Sequence, residues 1–252
     1  MTWSNRVDVA VIGAGPVGLA CAIECGRRDL TVRVFDKGAI VNSLLGYPTN
    51  MEFFSTPDLL EIGGHPFPTL GYKPVREEAI DYYRRVAYAE EIDLWLYEPV
   101  LAVDGNEGAF IVRSEQEDTE ASAVIVVTGF FDVPRLLDVE GEDLPKVAHY
   151  YKEPFAYSGQ EVAVIGAKNS AAKAALECYR HGAQVTMIVR GPEIGRSVKY
   201  WIRPDLENRI REGAIRAMFN TEVVRIEPKA IVLRNASGTF SLQNDWVLAM
   251  TG

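Results

Sequence analysis

Sulfur and imidazole are scarce in this chain: three cysteines (Cys21, Cys25, Cys178) and three histidines (His65, His149, His181) among 252 residues. The histidines are scattered and none has a Cys or His neighbour at metal-ligand spacing, so no metal site is expected. An odd, sparse cysteine set excludes a disulfide framework and points to a reducing, cytoplasmic setting. Positive charge is also in deficit, with 26 Lys and Arg against 35 Asp and Glu and a net charge of -9. A polyanion needs clustered cations, so no nucleic-acid partner is expected. No apolar run reaches the roughly 18 residues of a membrane span. The apolar stretch from Val9 to Ile23 behind Arg6 has the outline of a signal peptide, but Asp8 and the glycines at Gly13, Gly15 and Gly18 fit a folded strand, turn and helix better. What remains is a globular balance, 48% hydrophobic and 24% charged, in a length that suits one large domain or two ordinary ones.

An internal repeat organises that length. Asp8-Val-Ala-Val-Ile-Gly-Ala14 recurs as Glu161-Val-Ala-Val-Ile-Gly-Ala167, a shift of 153 residues, and Glu24-Cys25 falls on Glu177-Cys178 at the same shift. Each copy reads strand, tight turn, helix, strand: 7–12, 16–27 and 31–35 in the first, 162–165, 170–181 and 184–189 in the second. The Val/Ile-rich runs are those of parallel strands buried on both faces. Between the copies, residues 75–91 have helical spacing. Segments 93–97, 100–104 and 109–114, broken by Gly105-Asn106, read as an antiparallel meander, and 122–127 as another buried strand. Residues 130–157, with Pro134, Pro145 and Pro154, read as a linker. The expected fold is α/β, with two Rossmann-like, three-layer ββα domains and a small meander.

Gly13-Ala14-Gly15-Pro16-Val17-Gly18 is a full G-x-G-x-x-G between strand and helix. Its first glycine makes the turn, the second admits a pyrophosphate to the backbone, and the third lets helix and strand pack closely. The helix start then offers unpaired N–H groups to the phosphates. Asp36, 23 residues after Gly13, is placed to accept hydrogen bonds from a ribose, with Lys37 beside it. Its extreme N-terminal position favours FAD; the competing interpretation is a structural glycine turn in some other α/β fold. The second copy reads Gly166-Ala167-Lys168-Asn169-Ser170-Ala171, with lysine for the middle glycine and alanine for the last. The position of Asp36 is taken here by Arg190, with Arg196 and Lys199 following. A carboxylate would repel a 2′-phosphate and a guanidinium grips one, so this exchange favours NADPH over NADH; a solvated basic loop is the alternative.

Beyond the turns, the stretches 41–49 (VNSLLGYPT), 53–55 (FFS), 73–76 (KPVR), 128–129 (TG), 141–146 (GEDLPK) and 166–170 (GAKNS) resemble thioredoxin-reductase-like flavoproteins, and most narrowly the bacillithiol-disulfide reductase family. The resemblance implies FAD and NADPH domains facing each other, in a homodimer. It implies that Asn42, Ser43, Tyr47 and Thr49 line the flavin side, that Val100 lies by the adenine, and that Thr128-Gly129 sits at the FAD edge. Three departures stand out. The family's turn cysteine is Val17 here. The C-x-x-C pair of the thioredoxin reductases has no counterpart, residues 138–158 containing no cysteine. The chain stops at Met250-Thr251-Gly252, where related proteins continue, so the last part of the FAD domain is expected to be missing.

The expected domains are 1–134, binding FAD, and 158–252, binding NADPH. The expected function is hydride passage from NADPH through flavin to a small acceptor, such as a low-molecular-weight disulfide, in a soluble homo-oligomer. A flavin monooxygenase-like enzyme and a non-catalytic nucleotide-binding or redox-sensing module are the alternatives. Cys21, Cys25 and Cys178 are expected to be core residues, His149 and His181 structural, and Tyr82, Tyr83 and Tyr88 packing groups.

Overall fold

A computed structural model describes residues 5–49 and 51–252; residues 1–4 of the first expected domain lie outside it. Two units separate between Asp132 and Val133.

The first unit is built on β1 (Arg6–Ile12), β2 (Val32–Asp36), β3 (Asp93–Leu96), β4 (Val100–Asn106), β5 (Ala109–Ser114) and β6 (Asp118–Val126), with helices α1 (Pro16–Gly26), α2 (Asn42–Leu45) and α3 (Arg76–Ala89). Its sheet order is β3-β2-β1-β6-β5-β4. β1 pairs in parallel with β2 and β6, while β4, β5 and β6 pair antiparallel. Val9, Val11, Ala22 and Val34 pack together under α1. α3 begins with the Glu78 carboxylate accepting the Val75 N–H at 2.9 Å, which satisfies one orphan donor of its first turn.

β3 is placed differently from the sequence reading. It is not the first arm of the meander but a parallel partner of β2, in register Arg33↔Asp93. The cause is a buried cation: Arg33 is 1% exposed. Its Nε donates to Asp93 at 2.9 Å, its Nη1 to Thr119 at 3.1 Å, and its guanidinium lies 4.0 Å from the Trp95 ring centre. A charge that deep persists only with such partners, and they tie β3 and β6 to β2.

The second unit has β7 (Val147–Ala148), β8 (Glu161–Ile165), β9 (Gln184–Ile188), β10 (Arg216–Met218) and β14 (Trp246–Ala249), an all-parallel sheet in order β10-β9-β8-β14-β7. Helix α4 (Asn169–Arg180) covers it through Ala171, Ala172, Ala174 and Ala175, all buried, whose small side chains permit close approach. Helix α5 (Arg203–Arg211) follows. β11 (Glu222–Glu227), β12 (Ala230–Asn235) and β13 (Gly238–Gln243) form a separate antiparallel sheet that the sequence reading did not mark.

The presumed linker is structural as well. It supplies β7 to the sheet, and Tyr151 and Tyr157 to the core. In the stretch 141–146, a Cβ on Gly141 would lie 2.0 Å from the Ile226 carbonyl. Glu142 accepts the N–H groups of Leu137 and Asp138, and buried Lys146 donates to Ala230 O and Asn244 Oδ1. That motif therefore holds the second unit together.

Candidate functional site

In the first unit a cavity of about 500 Å³ opens beside the first glycine turn. The three glycines have three different reasons. Gly13 has φ +117, and a Cβ there would lie 2.4 Å from the Val127 carbonyl. A Cβ on Gly18 would lie 1.9 Å from the Gly13 carbonyl, so α1 rests directly on the turn. A Cβ on Gly15 would meet no atom within 4 Å; it would project into open space, and Gly15 lines the cavity. That is the geometry of a cradle kept clear for a pyrophosphate at a helix start.

Asp36 ends β2 at the cavity wall. Its Oδ2 accepts the Ala14 N–H at 2.8 Å and its Oδ1 the Gly38 N–H at 2.9 Å, so the carboxylate braces the turn. A carboxylate oxygen has two acceptor sites, and each keeps one for a ribose hydroxyl. The segment after it folds back onto the turn: Val41 donates its N–H to the Ala14 carbonyl at 3.0 Å, while holding a left-handed φ of 49. A β-branched residue there is strained, a feature that concentrates at ligand sites. Val41 carries the chain into α2, which presents Asn42 and Ser43 to the cavity.

Gly13, Gly15, Pro16, Val17, Asp36, Lys37, Asn42, Ser43, Tyr47, Val100, Thr128 and Gly129 all line this cavity. Gly18 is packed behind it, and exposed Thr49 is not part of the wall. Several lining residues escaped the sequence reading. Asp132 gathers two that did not: Lys37 Nζ lies 2.9 Å from it and Ser43 Oγ donates to it at 3.0 Å. Phe131 meets Tyr47 edge-on at 4.6 Å, and burial, then the nearby Asp132 charge, pushes the Tyr47 hydroxyl above its ordinary range. Tyr83 is both a packing group and part of the wall; its hydroxyl donates to the Leu60 carbonyl at 2.9 Å and burial pushes it up to about 12. Glu98 also lines the cavity; one carboxylate oxygen accepts the Gln116 N–H and the other has no partner among the described residues. None of these carried a motif in sequence.

No thiol lines this cavity. Val17 is 63% exposed on its wall, while Cys21 and Cys25 lie further along α1. Cys178 is sealed in the second unit's core, where burial pushes its thiol up to about 12.

The second turn repeats the geometry. Gly166 has φ +131, and a Cβ there would lie 2.4 Å from the Met250 carbonyl. Lys168 occupies the middle-glycine position with φ -104, ψ -171, extended backbone that lysine adopts without strain, and its side chain is exposed. Ala171 is fully buried against Gly166. Ser170 is exposed in the first turn of α4. Asn169 is committed to a loop: its Nδ2 donates to the Ser197 carbonyl at 3.2 Å and its Oδ1 accepts the Lys199 N–H at 2.9 Å. Arg190, just past β9, is exposed and makes no ion pair or hydrogen bond through its side chain among the described residues. Arg196 is an exposed partner of Glu193 at 3.0 Å. The remaining histidines are accounted for locally, His65 by Glu90 at 2.6 Å and His181 by the Glu177 carbonyl at 2.8 Å. His149 lies 3.6 Å from the Glu142 carboxylate.

Comparison with known proteins agrees with this geometry. The family described as pyridine nucleotide-disulphide oxidoreductase matches residues 10–252. The bacilliredoxin reductase Bdr of Bacillus subtilis is 41% identical over 244 residues, which cover 96% of this chain and 75% of that protein. Two solved structures of bacillithiol disulfide reductase Bdr are also similar. The Bacillus cereus protein has a TM-score of 0.95 at 39% identity, covering 98% of this chain and 78% of its own. The Staphylococcus aureus protein has 0.94 at 37%, covering 98% and 76%. On its two glycine turns, the match over 10–252 and these relatives, the chain belongs to the pyridine nucleotide-disulphide oxidoreductase family.

Proposed function

We propose that the chain is an FAD-dependent oxidoreductase that takes reducing equivalents from NADPH and delivers them to a small-molecule disulfide of the bacillithiol kind. The observation that carries this reading is the clear space over Gly15, inside a cavity walled by Asp36, Lys37, Ser43 and Tyr47. FAD, when bound, supplies two-electron transfer between a nicotinamide and an acceptor. The chain's own residues position it. The N–H groups at the start of α1 face the pyrophosphate. The free acceptor sites of Asp36 hold the ribose. Tyr47, Phe53 and Phe131 exclude water from the apolar side, and Asp132 fixes Lys37 and Ser43 at the polar side. In the second unit the start of α4 faces the other pyrophosphate, with Arg190, Arg196 and Lys199 meeting a 2′-phosphate.

With Val17 in place of the turn cysteine, none of Cys21, Cys25 and Cys178 lines the cavity, so in this reading the acceptor would meet the flavin without any of these three thiols as a relay. The sparse, unbridged cysteines support a cytoplasmic setting, and the family resemblance carried by the sequence stretches above supports a homo-oligomer. No described helix is long and apolar enough to cross a membrane. The test is NADPH oxidation by the FAD-loaded chain with bacillithiol disulfide as acceptor. Stoichiometric thiol release supports the reading. NADPH oxidation that consumes oxygen and inserts it into a substrate, with no disulfide reduced, overturns it in favour of a monooxygenase.

A further inference from the structure

The second unit holds a loop whose attachment is more elaborate than a connection needs. Between β9 and α5, Ile194 and Val198 are buried in the core, while Arg196 between them is 87% exposed at its side chain. The apolar residues therefore set the loop's depth and leave its cation outside. Its lateral position is set by three hydrogen bonds to the second glycine turn. Gly195 donates its N–H to the Ala167 carbonyl at 2.8 Å, and a Cβ on Gly195 would lie 2.8 Å from that oxygen, closer than real side chains come. The other two bonds come from one side chain, the Asn169 amide, which donates to Ser197 O and accepts from Lys199 N. Asn169 is the first residue of α4, so the loop is fastened where a pyrophosphate would meet the helix start.

We infer that Asn169 is a positioning residue for nucleotide selection: it touches the loop rather than the nucleotide, and it holds Arg196 and Lys199 where a 2′-phosphate is recognised. This rests on the NADPH reading above. Both functional ends of the amide are occupied by loop backbone, which separates it from Ser170, whose side chain makes no such bond. The Arg196–Glu193 ion pair is solvent-exposed and weak, so Arg196 exchanges Glu193 for a phosphate at little cost. Without the amide, Ser197 O and Lys199 N turn to water. The loop then keeps its apolar anchors but loses its fixed distance from α4.

The test is calorimetric binding to the full chain of two probes that differ by one phosphate, adenosine 2′,5′-bisphosphate and 5′-AMP. The wild type binds the bisphosphate more tightly. Asn169→Ala weakens the bisphosphate by about tenfold, because Arg196, Lys199 and their loop must then be ordered on binding, and leaves 5′-AMP within about twofold. In an Arg196→Gln/Lys199→Gln background the same substitution has no further effect on the bisphosphate, which a structural role alone does not produce. Equal weakening of both probes, or a fully additive effect in that background, overturns the positioning role. So does an Asn169→Ala chain that discriminates as well as wild type. A wild-type chain that does not distinguish the probes overturns the NADPH reading itself, and the role of Asn169 with it.

Discussion

Adding one methyl group at Gly15 and at Gly18, three residues apart, has opposite consequences. At Gly15 the backbone has φ -74 and ψ 175, which alanine adopts freely, and the new Cβ meets no atom within 4 Å. Alanine is a poorer helix cap than glycine by about 1 kcal/mol, and a stiffer unfolded chain offsets about 0.4–1 kcal/mol of that. The Gly15→Ala protein therefore melts within a few degrees of wild type. Its methyl stands where the pyrophosphate lies, however, and losing one charge-assisted hydrogen bond, about 1.5–3 kcal/mol, weakens FAD by roughly 10- to 100-fold. At Gly18 the Cβ falls 1.9 Å from the Gly13 carbonyl and 3.1 Å from a Val127 methyl. A backbone oxygen cannot swing aside, so the cost lies near the top of the overpacking range, about 3 kcal/mol. For a unit of this size that lowers the melting temperature by roughly 10 °C. Thermal unfolding of the FAD-free proteins and titration with FAD by quenching of flavin fluorescence read both quantities. A Gly15→Ala protein with wild-type FAD affinity, or a Gly18→Ala protein with wild-type melting, refutes the cradle geometry.

Arg190→Gln raises the KM for NADPH by roughly 10- to 100-fold, the value of a charge-assisted phosphate contact, and leaves that for NADH unchanged; equal effects on both nucleotides count against a 2′-phosphate contact. The triple substitution Cys21→Ser, Cys25→Ser, Cys178→Ala retains disulfide reduction, and iodoacetamide does not inhibit the native enzyme; loss of turnover on removing any one thiol contradicts direct transfer. Burial holds the Cys178 thiol at about 12 instead of 9.0. It stays protonated when folded and ionises above about 9 when unfolded, so stability falls as pH rises from 9 towards 12, by up to about 1.4 kcal/mol per unit. Urea denaturation across that range shows a shallower slope for Cys178→Ala, and parallel slopes for the two proteins exclude the effect. Asp132→Asn releases Lys37 and Ser43 together and weakens FAD severalfold, whereas an unchanged affinity removes Asp132 from the site.

What could be read from sequence was what local chemistry encodes. The β1–turn–α1–β2 unit and its copy at 161–188 were legible because glycine spacing and Val/Ile runs are set by contacts within about thirty residues. Asp36 and Arg190 followed from counting along that unit. The placement of β3 was not legible, because its partner is chosen by Arg33, sixty residues earlier, and nothing near Asp93 announces a buried guanidinium. Residues 130–157 read as a connector because Pro134, Pro145 and Pro154 interrupt any regular pattern, yet Tyr151 and Tyr157 fill a core assembled from distant strands. The sheet β11–β13 went unmarked because its strands follow the second repeat, where the pattern of the first copy gives no guidance. Asp132, Glu98 and Tyr83 reach the cavity from three separate segments, and only the fold brings them to one wall. The second glycine motif singles out Asn169 as a candidate, but its hold on the loop at 195–199 depends on a return of the chain that spacing does not reveal.

The most direct test of the central claim is an anaerobic titration of the FAD-incubated, gel-filtered chain with NADPH, followed by the visible flavin spectrum. Flavin bands that stay with the protein and bleach at near-equimolar NADPH, with NADH needed in large excess, are the predicted result. A protein that emerges colourless, or a retained flavin that NADPH leaves unchanged, contradicts the account.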